Sequence, residues 1–186
     1  MSAEEIALEA EEAMEKAVNY LRSEFRLIRT GRASPALLDT IRVLYYDTPT
    51  ALKELAAVAA PEPNLLVIKP FDPAVIKDIE KAILASPLGL TPNSDGRVIR
   101  LVVPPLSGER RQQLANQVKQ MAEQARVHVR NARRDANKAL DQAQKDKLLT
   151  EDQRDAAKEE MDKLTKQYIA QVDEVLKTKT DEIMAV

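Results

Sequence analysis

From Ser2 to about Arg29, apolar residues recur at heptad-like intervals: Ala7, Met14, Val18, Leu21, Phe25 and Ile28. That spacing predicts one long helix with an apolar stripe along one side. After Arg29 the pattern changes. The prolines gather between Gly31 and Pro105 with three of the four glycines, and short apolar runs replace the heptads. "TIRVLYY" alternates and is rich in β-branched and aromatic residues, "NLLVIK" is a compact apolar run, and "RVIRLVV" puts Ile99, Leu101 and Val103 on one face. All three predict strands. In the same region "DPAVIKDIEKAILAS" predicts a short helix, with Asp72 as cap, Pro73 in the first turn and Val75, Ile76, Ile79 and Ile83 as its apolar side.

Beyond "PPLSGERR" the helical period resumes, with Ser107 as N-cap, and runs to about Lys145. Thr150 and Gln153 then form a capping box that opens a last helix. The three long helices would be roughly 28, 38 and 34 residues, or about 40–60 Å at 1.5 Å per residue. None has a stripe wide enough for burial on all sides, so they must pack together as an elongated three-helix bundle. The expected fold is α+β in two domains. A discontinuous bundle takes 1–30 and 106–186, and a β/α/β domain is inserted at 31–105. The chain passes between them through "TGRAS" and "PPLSG".

A chain of 186 residues can bury a real core in one or two domains. The absence of cysteine excludes disulfides, zinc–thiolate sites and thiol nucleophiles. No apolar run is long enough to span a membrane. The opening segment, "MSAEEIALEAEEAMEK", is acidic and amphipathic, opposite in sign to a secretory or organellar presequence, so the expected location is the cytoplasm.

Net charge is −2, yet "QARVHVRNARRDANK" holds four arginines and a lysine against one aspartate. At about 100° per residue, Arg126, Arg130, Arg133 and Arg134 share a sector about 100° wide, into which Lys119 and Asn137 also project. The apolar positions Leu114, Val118, Met121, Ala125, Val129, Ala132, Ala136 and Ala139 centre about 130° away, so the arginines are expected to face solvent. Arg22, Arg26 and Arg29 repeat the device on the first helix, and Arg32 follows just beyond it. A solvated face stitched by i,i+4 ion pairs explains most charge runs on helices, but with so few acids within the stretch it fits poorly here. The alternative is a surface for polyanions, since the guanidinium fork suits phosphate. With two Phe, four Tyr and no Trp, stacking on single-stranded bases is disfavoured, which leaves the backbone and shape of folded RNA or duplex. His128 lies at the edge of the apolar face and reads as a packed bundle residue. Asp135 and Glu109 read as surface carboxylates. No nucleophile elbow, phosphate loop or metal-ligand spacing occurs, so neither catalysis nor a cofactor or metal is expected.

"IRTGRASPALLD", "YYDTPTAL", "LGLTPNSDGRVIRLVVPPL", "ERR" and "AEQARVHVRNARRDANK", in that order over nearly the whole chain, resemble the ribosome recycling factor family. The resemblance implies an L-shaped, tRNA-sized monomer with a three-helix bundle as one arm and a hinged β/α/β domain as the other. It further implies that the protein binds in the intersubunit space of the post-termination ribosome. With elongation factor G and GTP hydrolysis it would separate the subunits and release mRNA and tRNA. By motif, contacts with large-subunit rRNA carry over to Arg29, Arg32, Arg130, Arg133 and Arg134, and Arg126 joins them by sharing the stripe. The hinge carries over to Thr30, Gly31 and Arg32 on one connection and Pro104, Pro105 and Leu106 on the other. Asp47 and His128 depart from the family's pattern, standing where small residues are usual, and Gly108 departs from it by weakening the first turn of the second long helix. Two rival functions remain distinguishable. A coiled-coil adaptor would self-associate without salt-dependent RNA binding, whereas a general RNA chaperone would bind free structured RNA as well as ribosomes.

Overall fold

A computed structural model describes residues 1–185. In chain order the elements are α1 (Ala3–Arg26), β1 (Arg42–Tyr45), β2 (Thr48–Ala51), α2 (Leu52–Leu55), β3 (Ala56–Glu62), β4 (Leu65–Pro70), α3 (Ile76–Ala85), β5 (Pro92–Ser94), β6 (Ile99–Val102), α4 (Gly108–Lys145) and α5 (Glu151–Met184). Short 3-10 turns occupy Pro35–Leu38 and Pro73–Val75. The residues form two compact units, Met1–Arg29 with the chain from Gly108 onward, and Thr30–Ser107.

The first unit is the bundle of α1, α4 and α5. Ser2 opens α1 with a reciprocal cap: its hydroxyl accepts from Glu5 N at 3.1 Å, and the Glu5 carboxylate accepts from Ser2 N at 2.7 Å. Thr150 and Gln153 repeat the arrangement ahead of α5, as their spacing predicts. On α1 the buried residues are Ile6, Ala10, Met14, Val18, Leu21 and Phe25, with Ala7 and Ile28 only half-buried. The helix also ends earlier than its apolar period suggests. Leu27 N–H donates to Glu24 O and Ile28 N–H to Phe25 O, tightening the last turn, so Arg29 lies beyond α1 instead of continuing its stripe. Ile6 and Ala10 pack on Ala136, Leu140 and Met161, which makes α4 antiparallel to α1. Tyr168 of α5 donates from its hydroxyl to Glu11 of α1 at 3.1 Å, so α1 and α5 run alongside one another.

The second unit has a four-stranded antiparallel sheet in the order β3-β4-β6-β5, with β1 and β2 as a separate hairpin. Leu66, Ile68, Ile99 and Leu101 alternate inward from the two central strands and meet Ile79 and Ile83 of α3 in one core. Strands β2, β3 and β5 go beyond the three that the apolar runs predict. β3 is alanine-rich and carries Pro61, with only Ala56 fully buried and Val58 as its single β-branched residue, so it lacks both the composition and the alternation of a strand. It exists because β4 offers it an edge. The β1–β2 turn is Tyr46–Asp47, with φ of 48° and 61°. Both residues are left-handed, as a two-residue hairpin loop of the I′ kind demands, so Asp47 does the work usually given to glycine there.

Asp95 organises the β5–β6 turn. Its Oδ1 accepts from Arg97 N at 2.9 Å and Val98 N at 3.0 Å, and its Oδ2 accepts from Arg100 at 3.1 Å. The Val98 and Arg97 amides, then the Arg100 guanidinium, lower its pKa to about 2. A depressed carboxylate stabilises the fold above its unfolded pKa, near 4, and that contribution is lost as pH falls toward about 2. Asp95→Asn should therefore unfold at lower temperature than the wild type at neutral pH. Thermal scans should show the gap closing between about pH 4 and pH 2; a gap constant across that window would contradict the assignment.

The segments by which the chain enters and leaves this unit are tied to one turn. Ala33 N donates to Pro63 O at 2.7 Å, and Val103 N donates to Asn64 O at 2.8 Å. Just outside those anchors Gly31, with φ +73°, lies against Leu106, where an added Cβ would be 2.9 Å from the Leu106 backbone nitrogen.

Candidate nucleic-acid interface

The buried face of α4 comprises Leu114, Val118, Ala122, Ala125, Val129, Ala136, Leu140 and Ala143. Met121, Ala132 and Ala139 are only half-buried. The core therefore centres about 100° from the arginines instead of the expected 130° or so. That rotation has two consequences. Arg126, one turn beyond Ala122, is drawn toward α5 and its side chain is only 18% exposed. On the other flank His128 is left exposed, not packed against the bundle.

Arg126 is a clamp. Its Nε and Nη2 donate to one oxygen of Asp173 on α5, at 2.9 and 2.7 Å, while Nη1 donates to Glu123 at 2.9 Å. The other Glu123 oxygen accepts from Arg130 at 3.1 Å. Hydrogen bonds from Arg126 and then Arg130 hold the Glu123 carboxyl below the usual carboxylate range. Arg133 lies 3.9 Å from Asp162, also on α5. Arg134 is exposed and has no ion pair among the described residues. Ion pairing thus accounts for more of this stretch than its own composition suggests, because the acids come from Glu123, just upstream, and from a helix far along the chain. One signal was available: Asp162 and Asp173 fall about three turns apart on one face of α5. Asn137, expected to project outward, instead has its Oδ1 buried without a hydrogen-bond partner among the described residues.

Arg29 and Arg32 are exposed in the connection after α1 and form no ion pair among the described residues. Arg29 does not join the α4 group. The antiparallel register that sets Ala10 beside Ala136 places the end of α1 about 20 Å from Arg134 along the bundle, at 1.5 Å per residue. Arg32 lies in the other unit. The convergent set in the bundle is Arg130, Arg133 and Arg134, with Arg126 behind it. Of the connecting residues, Thr30, Gly31 and Leu106 are half-buried, and Arg32, Pro104 and Pro105 are exposed. Among the described residues, no group of acidic or imidazole side chains could hold a metal ion, and no helix is long and apolar enough to cross a membrane.

A family model described as ribosome recycling factor matches residues 21–184. The chain belongs to the ribosome recycling factor family. It is 52% identical over 182 residues to the ribosome-recycling factor of Heliobacterium modesticaldum, covering 98% of each chain. It is 49% identical over 183 residues to that of Carboxydothermus hydrogenoformans, covering 98% of this chain and 99% of the other. Among solved structures, a solution structure of the ribosome recycling factor superposes with a TM-score of 0.81 at 39% identity, covering 100% of this chain and 99% of the other. A second neighbour, at TM-score 0.66 and 39% identity with full coverage of both chains, is a Thermus thermophilus ribosome recycling factor described with Escherichia coli elongation factor G on the E. coli post-termination complex. Family membership accounts for a long helical part joined to a small β-containing one.

Proposed function

We propose that this protein binds the post-termination ribosome in the cytoplasm and, with elongation factor G and GTP hydrolysis, separates the subunits so that mRNA and tRNA are released. The observation that carries this reading is the full-length similarity to a factor described on that complex together with elongation factor G. In this reading Arg130, Arg133 and Arg134 contact large-subunit rRNA through its phosphates. Arg29 and Arg32, free of ion pairs among the described residues, contribute from the connection. Arg126 serves mainly to hold α4 against α5. The protein supplies no reacting group; hydrolysis belongs to the elongation factor.

The hinge of this reading is Thr30–Arg32 with Pro104–Leu106. Anchoring of Ala33 and Val103 to the Pro63–Asn64 turn confines backbone rotation to these short stretches. Gly31 provides freedom in one, and Pro104 and Pro105 stiffen the other, leaving rotation to its ends. Light scattering of post-termination ribosomes tests the function: scattering should fall to the level of free subunits only when the protein, elongation factor G and GTP are all present. No fall beyond that given by elongation factor G and GTP alone would exclude recycling activity.

A further inference from the structure

Three of the four arginines between Gln124 and Lys138 of α4 already face carboxylates of this chain: Arg126 meets Asp173 and Glu123, Arg130 meets Glu123 at 3.1 Å, and Arg133 lies 3.9 Å from Asp162. The acids are not buried counterions. Glu123, Asp162 and Asp173 have side chains 54%, 58% and 54% exposed, so their charge is carried on the same surface as the guanidiniums. Arg130 and Arg133 are themselves 40% and 34% exposed, wet enough to be solvated without a partner. Exposed pairs of this kind add little to stability. What they change is the field. Together the three acids offset most of the charge of this arginine stretch at long range, although Arg130, Arg133 and Arg134 keep donors free for a phosphate placed against them.

We infer that Glu123 and Asp162 are specificity-determining residues: they suppress attraction of the arginine face to polyanions in general, so that it holds only an RNA surface whose phosphates meet Arg130, Arg133 and Arg134 together. This rests on the rRNA-binding reading above. A duplex lying loosely on α4 would bring phosphates past Glu123 and Asp162 as often as past a free guanidinium, and would gain little. A folded surface with phosphates at the right positions gains several short, charge-assisted hydrogen bonds that outweigh two fixed acids. Hydrogen bonds from the arginines keep Glu123 ionised throughout the neutral range, so the suppression does not relax near pH 7.

Glu123→Gln and Asp162→Asn test the inference, because each keeps the side chain's shape and an oxygen able to accept from arginine while removing the charge. Affinity should be measured for a short RNA duplex of unrelated sequence and for vacant ribosomes, at one salt concentration. Each substitution should tighten duplex binding by on the order of threefold or more, the effect of deleting one like charge near a phosphate in water. Ribosome affinity should change less, so the ratio of the two affinities falls. Unchanged duplex affinity in both variants, or an equal gain for ribosome and duplex, would overturn the inference. Failure of the underlying reading looks different: Arg134→Gln would then leave ribosome affinity and its salt dependence untouched, whatever Glu123→Gln did to duplex binding, and the proposed discrimination would fall with it.

Discussion

Gly31→Ala should destabilise the β-containing unit by about 2–3 kcal/mol, a large effect for one methyl group. Part of this is conformational. At φ +73° an L-residue is in the left-handed region, which costs roughly 1–2 kcal/mol for a residue with a Cβ. The remainder is steric, because the new carbon would meet the Leu106 backbone nitrogen at 2.9 Å and its Cγ at 3.0 Å. The side chain can turn aside, but the backbone nitrogen moves only if the two connecting segments part. Gly89→Ala is the internal control: φ is +66° there, but nothing lies within 4 Å of the added carbon, so it carries the conformational cost alone. Urea unfolding of the two variants should show Gly31→Ala to be the more destabilised. Equal destabilisation would mean that the two segments separate freely.

A larger effect is expected from removing the convergent arginines together. Arg130→Gln, Arg133→Gln and Arg134→Gln in one chain should weaken ribosome binding by on the order of a hundredfold or more, at roughly 1 kcal/mol or more for each charge-assisted hydrogen bond removed. Folding should be little affected, since all three side chains are at least one-third exposed or have only a surface partner. Subunit splitting at limiting protein should fall in parallel and recover as protein is added, because the lesion lies in binding and not in the later swing of the hinge. Arg126→Gln should behave in the opposite way, lowering the melting temperature by breaking the Asp173 clamp while leaving ribosome affinity close to that of the wild type.

The bundle was legible because its signals are local. The capping box at Thr150, the long apolar period of α4 and the proline-rich insertion each lie within a few turns of sequence. β3 was not legible, since an alanine-rich strand is created by its neighbour β4 and not by its own residues. Within the candidate site, the arginines were visible but their partners were not. Rotation of the α4 core toward Ala122 and Leu140 depends on how α1 and α5 pack, and it alone moved Arg126 inward and His128 outward. Apart from Glu123, the acids facing the stripe belong to α5, some thirty to fifty residues away in the chain, at a distance that helical periodicity does not reach. The early end of α1 removed Arg29 from the helix for a similar reason: Ile28 is apolar and in phase, but the chain has already turned.

The central claim is that the α4 arginines bind ribosomal phosphate, and the dependence of ribosome affinity on salt tests it most directly. Plotted as log affinity against log salt concentration, the wild type should fall steeply. The triple variant at Arg130, Arg133 and Arg134 should be flatter by about 0.7–0.9 for each phosphate no longer neutralised, or about 2 in all. An identical slope in the two proteins, with affinity unchanged, would place the ribosome-binding surface elsewhere.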